Sequence, residues 1–282
     1  MKLGVRLHDF GKSNAEELAI KASEVGFDGV QFVINKAIDG ESGLKGTLSK
    51  EKLESMATSF KNHNLNVMML GSYFNPVHSD KNKVFTFVEK FKDHLQFANI
   101  FDCKYVGSET GSFNDDSWTY NPLNRTEEAF QEVKRIFKDI LLVAKEANCH
   151  VALEGAYGHC MFEPKALKRL FDELDNGYLD IIVDVYNYLY IGNYEDRFNI
   201  LKECLELFKD KIKVFHIKDF IVQDDKLIQV GIGKGIMDWD KMLPLIYEIC
   251  PNAYLVFEGV KKEDMESSYQ YFRPLMDKVE NK

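Results

Sequence analysis

The sequence predicts an α/β chain closed as a (β/α)8 barrel, eight parallel strands ringed by helices, with residues 1–282 forming one domain. Three observations carry this expectation. Short β-rich apolar runs alternate with amphipathic stretches from end to end, the pattern of consecutive βα units. Eight such units fit into 282 residues, near the ~250 usual for a barrel, which favours closure over an open doubly wound sheet. The longer connections, Asn35–Ser49, Ser72–Lys83, Glu109–Thr126 and Phe220–Met237, all follow strands, so the elaborate loops belong on the C-terminal face where barrel enzymes do their chemistry.

The first strand is read as Leu3–Leu7, followed by a helix over Ala15–Val25 with Asn14 as its N-cap and Gly26 as its C-terminal stop. Strand Gly29–Ile34 precedes helix Lys50–His63, and strand Asn66–Gly71 precedes helix Val84–Ile100. Tyr105–Ser108 leads to Glu127–Ala147, and His150–Leu153 to Lys165–Leu174, with Gly177 as punctuation. Leu179–Val183 is followed by Glu195–Phe208, where Phe198, Leu201, Leu205 and Phe208 mark one apolar stripe at helical spacing. Lys213–Phe215 leads to Trp239–Ile249, with Asp238 read as its N-cap, and Ala253–Phe257 leads to Glu263–Val279. Nearly continuous Val, Ile, Leu and Phe in several strands fit burial on both faces.

Composition narrows the partners. A net charge of −9 argues against a surface built for phosphate backbones, so no nucleic-acid partner is expected. No apolar run is long enough for a signal peptide or a membrane span, which leads to the expectation of a soluble, cytoplasmic protein without a membrane partner. Five scattered cysteines without a CxxC pair suggest free, buried thiols. The partners this leaves are a small molecule and a second copy of the chain.

Four strand runs end on a ligand-capable group: HVALE on Glu154, LDIIVD on Asp184, IKVFH on His216 and AYLVFE on Glu258. Adjacent strands bring such residues to one rim. Three carboxylates and an imidazole suit a divalent ion of the Mn²⁺, Mg²⁺ or Co²⁺ kind, with Zn²⁺ also admitted. Carboxylates so close would otherwise repel one another. A metal there can stabilise the enediolate formed when a proton α to a carbonyl is removed. Glu154 and Glu258, on either side of the substrate, can act as the base and acid.

This quartet, with the HIKD stretch from His216 to Asp219 and the glycine-rich run from Gly231 to Gly235, resembles the xylose isomerase-like barrel superfamily. It looks most like its sugar phosphate isomerases/epimerases, with tagatose/psicose 3-epimerases, hydroxypyruvate isomerase and inosose dehydratase as relatives. The resemblance covers essentially the whole chain. It implies one divalent metal held by Glu154, Asp184, His216 and Glu258, the two glutamates doubling as the acid/base pair in sugar isomerisation or epimerisation. Where the 3-epimerases usually carry a histidine three residues after the strand-six aspartate, this chain has Asn187, which can hydrogen-bond a hydroxyl but does not titrate near neutrality. A dehydrating lyase of the inosose type and a non-catalytic sugar-binding barrel are the alternatives. An apurinic endonuclease, needing more metal ligands and a basic face, does not suit this composition.

Substrate contacts are expected from His8, Tyr73, Glu109, His159, Asn187, Lys218, Asp219 and Lys234, all at or after strand ends. Each has a plainer reading: a cap for Glu109, a locally satisfied ring for His8, an Asn-Pro turn around Tyr73 and Asn75, an ion pair for Lys218 and Asp219. The run holding Lys234 lies where many barrels bind phosphate through backbone N–H groups, but it lacks the P-loop spacing and reads equally as a turn.

Overall fold

The computed structural model describes residues 1–281. Its strands are β1 (Lys2–Arg6), β2 (Gly29–Phe32), β3 (Asn66–Gly71), β4 (Tyr105–Glu109), β5 (His150–Glu154), β6 (Leu179–Val183), β7 (Ile212–Ile217), β8 (Asp219–Gln223), β9 (Lys226–Val230) and β10 (Tyr254–Phe257). Strands β1 to β7 and β10 pair in parallel and close into a barrel, β10 lying between β7 and β1. The helices are α1 (Ala15–Val25), α2 (Ile34–Ala37), α3 (Lys50–Asn62), α4 (Lys81–Phe97), α5 (Glu127–Ala147), α6 (Pro164–Leu174), α7 (Arg197–Phe208), α8 (Trp239–Ile249) and α9 (Met265–Glu280). Among the described residues, no helix is long and apolar enough to cross a membrane.

Local chemistry sets the helix ends. The Asn14 side chain accepts from the Glu17 amide, Ser49 from Lys52, Asp80 from Asn82 and Lys83, and Thr126 from Ala129, each satisfying amides that the first turn leaves unpaired. Gly26 stops α1 in the left-handed region at φ 104°. In α5, Phe130, Val133, Phe137, Ile140, Leu141 and Ala144 are buried along one stripe. Phe137 meets the rings of Phe74 and Phe91 at 5.8 and 6.4 Å, which ties α4, α5 and the loop after β3 together.

Three expectations change. The connection after β7 is not a plain loop: β8 and β9 form an antiparallel hairpin turning through Asp224 and Asp225, both at positive φ. Two left-handed residues give the turn the twist a tight hairpin needs. The loop after β2 contains the short helix α2. Asp238 does not cap α8 with its side chain; its backbone is left-handed and its carboxylate is 2.9 Å from Arg197 Nη2. All five cysteines are free and buried.

The barrel interior is apolar and methionine-rich, formed by Met68, Met69, Ala152, Ile182, Val214 and Val256. A register shift between β2 and β3 accompanies the inward placement of the consecutive residues Met68 and Met69. The room comes from glycines on facing strands: an added Cβ at Gly4 would lie 2.5 Å from Met68 Sδ, and one at Gly107 2.6 Å from Met69 Sδ.

Candidate active site

The interior layer fixes the site above it. Side chains alternate along a strand, so residues two positions after an inward-facing one face inward again. Ala152, Ile182, Val214 and Val256 are inside; two residues on stand Glu154, Asp184, His216 and Glu258. The same step leads from Gly107 to Glu109, from Gly29 to Gln31 and from Gly4 to Arg6. On β3 the corresponding residue is Gly71, where a Cβ would sit 2.7 Å from the Tyr73 ring, so Tyr73 occupies that place. A polar layer therefore closes the C-terminal end of an apolar barrel.

One ligand atom from each of Glu154, Asp184, His216 and Glu258 lies within 4.8 Å of the others. Two atoms bonded to one Mn²⁺, Mg²⁺ or Zn²⁺ ion stand at most about 4.2–4.4 Å apart, so a small contraction would gather them. His216 Nδ1 is 2.6 Å from Glu258 Oε2, 3.3 Å from Glu154 Oε2 and 3.9 Å from Asp184 Oδ2. Despite this closeness, His216 Nδ1 and Glu258 Oε2 are buried with no aligned hydrogen-bond partner. Donor atoms that converge on one point without aligned hydrogen bonds fit a shared cation, and hard oxygens with one imidazole suit a divalent one.

The layer's other members hold the quartet in place. His216 Nε2 donates to Gln31 Oε1 at 2.7 Å, and Gln31 Nε2 donates to the Tyr73 hydroxyl at 2.7 Å, which turns Nδ1 toward the carboxylates. Arg6 Nη1 donates to Glu258 Oε1 at 2.5 Å, while its Nε and Nη2 donate to Asp9, whose other oxygen accepts from the Gly259 amide. Asn187 Nδ2 donates to Glu154 Oε1 at 2.6 Å, and Asn187 Oδ1 accepts from Lys218 Nζ at 3.0 Å. Lys218 Nζ is also 2.8 Å from Asp184 Oδ2 and 3.6 Å from Glu258 Oε1.

Burial and charge separate these groups. Burial would keep His216 neutral, but the attraction of Glu258 and Glu154 lifts its pKa to about 10. Glu109 is pushed up to about 8 by burial and by the charges of Glu154 and Glu258. Asp184 rises to about 6 through burial, against the pull of Lys218. Burial also opposes charge on Glu258, yet His216, Lys218 and Arg6 hold it well below the usual carboxylate range. His8 falls to about 3 and His159 to about 4, burial leading in both, so both rings are neutral.

A cavity of about 610 Å³ opens over this centre, and Glu109, His159, Asn187, Lys218 and Glu258 line it. Tyr73 and His8 lie beneath or beside the quartet: Glu258 is among the charges that act on both. Asn75 is a scaffold residue, donating to the carbonyls of Ser112 and Asp115 and accepting from the amides of Val77 and Ser112. A larger cleft of about 1060 Å³ at the opposite end of the strands has Asn66, Tyr105 and Tyr254 on its walls. It lies away from the converging ligand set, on the face that serves stability in such barrels.

Two sequence expectations are revised. Asp219 turns away from the cavity: its carboxylate accepts from the amides of Phe220, Gly233, Gly235 and Met237. It thus fills the amide nest in the Gly231–Gly235 run that was a phosphate candidate. Lys234 points outward and pairs with Asp264. Asp219→Ala is expected to destabilise the fold by about 2–4 kcal/mol, because several buried amides lose a charged acceptor. Denaturant unfolding of the two proteins measures it; a change under about 0.5 kcal/mol would contradict the assignment.

Arg6 and Gln31 were missed by sequence reasoning, though both carry a signal. Each is a polar residue set in an apolar strand run, LGVR and GVQFV. Extending strand one to Leu7 drew attention to His8 instead, whereas β1 stops at Arg6 and a 3-10 turn begins at Leu7.

Comparison with known proteins gives a consistent placement. A family model described as "Xylose isomerase-like TIM barrel" matches residues 20–275. No curated protein matches the sequence. Among solved structures, a D-tagatose 3-epimerase-like protein is 18% identical with a TM-score of 0.77, covering 100% of this chain and 99% of its own. The 3-keto-D-glucoside 4-epimerase from E. coli is 18% identical with a TM-score of 0.72, covering 97% and 99%. A xylose isomerase-like TIM barrel protein from Mycobacterium smegmatis, solved in complex with magnesium, is 11% identical with a TM-score of 0.74, covering 99% and 96%. At these identities the likeness is one of fold.

Proposed function

The chain belongs to the xylose isomerase-like TIM barrel family, and from that membership we propose that it is a divalent-metal-dependent isomerase or epimerase of a sugar, moving a proton α to a carbonyl. The observation that carries this reading is the buried quartet of Glu154, Asp184, His216 and Glu258, whose converging donor atoms include three without aligned hydrogen-bond partners. When bound, a divalent cation would polarise adjacent carbonyl and hydroxyl oxygens and stabilise the negative charge left by proton removal.

The two glutamates divide the proton work by their surroundings. Glu258 Oε1 receives a guanidinium, and His216, Lys218 and Arg6 together hold its carboxyl well below the usual carboxylate range. Glu154 Oε1 receives only the neutral Asn187 amide, so Glu154 is assigned the abstraction. Return of the proton by Glu258 on the opposite face gives epimerisation; return on the same face at the neighbouring carbon gives aldose–ketose isomerisation. Lys218, close to Asp184 and Glu258, would neutralise charge on a substrate oxygen as it develops.

Exchange of a substrate C–H proton with solvent deuterium, followed by NMR with Mn²⁺ or Co²⁺ present, tests the reading. Exchange is expected for at least one ketose, inosose or sugar phosphate. Appearance of an enone or dione would assign a dehydration instead. Metal bound with no exchange for any sugar would sink the enzyme reading in favour of a binding protein.

The affinity for metal should rise with pH. Without a cation, His216 keeps its proton up to about pH 10. Binding through Nδ1 must expel that proton, so affinity is favoured by alkali. About one proton released per metal, and roughly a tenfold gain per pH unit between pH 7 and 9, is expected from calorimetry in buffers of different ionisation enthalpy. A pH-independent affinity would exclude His216 as a ligand.

A further inference from the structure

The cavity does not end at the metal-ligand quartet. Its outer wall is a ladder of three tyrosines from three loops: Tyr120 after β4, Tyr157 after β5 and Tyr190 after β6. Tyr157 stacks on Tyr190 at 4.2 Å and on Tyr120 at 5.8 Å, both at 18° between planes. Trp118 continues the wall, with its ring 5.0 Å from that of His159. These rings are set before any ligand arrives. Arg125 donates to the carbonyls of Tyr157 and His159 and lies over the rings of Tyr120, Tyr157 and Phe162. Asn114 donates to the Thr119 and Tyr120 carbonyls.

Yet the wall stays open to solvent. Trp118 is 38% exposed, Tyr120 51%, Tyr190 39% and the adjoining Ile191 42%. Large apolar side chains gathered at the mouth of a polar cavity mark a place where a ligand leaves water. The charge pattern says what kind. Of the two lysines that line the cavity, Lys218 is held by Asp184 and Asn187, and Lys226 lies exposed at the rim. The amide nest after β7 is filled by Asp219. A phosphate group would meet no open amide nest here and a single exposed lysine at the rim, whereas the aromatic wall spans three loops.

We infer that the substrate is an uncharged two-ring sugar, a glycoside whose reacting ring lies over the quartet and whose second ring packs on the Trp118–Tyr190 wall. The C–H face of a pyranose is apolar and matches aromatic rings, while its hydroxyls stay in the solvent at the rim. A cavity of about 610 Å³ falls within the ~300–1,000 Å³ range of pockets that take ligands larger than one ring. This inference rests on the sugar reading above.

The test compares a ketohexose, its phosphate ester and the same ketohexose carrying a glucosyl substituent at each hydroxyl in turn. Each is titrated into the metal-loaded full chain by calorimetry, with deuterium exchange recorded in parallel. At least one glucosyl-ketohexose is expected to bind about tenfold or more tightly than either the ketohexose or its phosphate, the order an aromatic contact supplies. Tyr190→Ala and Trp118→Ala should each erase most of that preference while leaving ketohexose affinity unchanged, and Tyr190→Phe should keep it. Tightest binding by the phosphate ester, equal binding of one-ring and two-ring sugars, or a preference that survives both alanine variants would overturn the inference and leave the sugar reading standing. Neither binding nor exchange with any of these sugars would overturn both.

Discussion

Glu154→Gln is expected to lower proton exchange at the substrate carbon by about a thousandfold or more at saturating metal, with little change in the substrate concentration needed for half-saturation. The substitution keeps the shape of the side chain and its contact distance to Asn187 but cannot accept a proton. Glu258→Gln should cost about a hundredfold to a thousandfold, because Arg6 then retains only Asp9 and the quartet loses a charge. Both glutamates are also proposed ligands, so the measurement is made across a metal titration. A loss that vanishes at high metal would mean that the residue binds the ion and nothing more. A loss that persists in the maximal rate identifies the acid/base function.

Removing the metal is the second large effect. Chelation should abolish exchange, and restoring Mn²⁺ or Co²⁺ should recover it. The same step should lower thermal stability, since an ion bound only by the folded chain adds roughly 4 kcal/mol when present at a thousand times its dissociation constant. For a chain of this size that is a shift of roughly 7 °C. Asp184→Asn and His216→Leu should remove most of this metal-dependent gain, and a scanning melt with and without metal reads it directly. Equal melting temperatures in both conditions would argue against any site of useful affinity.

Much of the barrel was legible because its strands are buried on both faces and read as apolar runs between amphipathic helices. The quartet was legible for a related reason: a charged group directly after such a run has nowhere to go but the rim. Arg6 and Gln31 obey the same rule, but each could be read as an ordinary interruption of a strand until the period of two was counted from the interior glycines. The hairpin of β8 and β9 escaped because Asp224-Asp225 is not the Asn-Gly or Asp-Gly pair that announces a tight turn, and its strands are partly exposed. Asp219 looked like a substrate contact by its place after His216. Only the folded chain shows four amides from both sides of the hairpin closing on it. Asn187, expected to face a substrate hydroxyl, does line the cavity, but its span between Glu154 and Lys218 was not legible, because it depends on a contact 33 residues away in sequence.

The ligand set itself is open to a direct measurement: anomalous diffraction from crystals of the full chain soaked with Mn²⁺. The account predicts one peak bonded to Glu154, Asp184, His216 Nδ1 and Glu258, with its remaining positions facing the cavity. No peak at saturating Mn²⁺, with Lys218 still seated against Asp184, would contradict it.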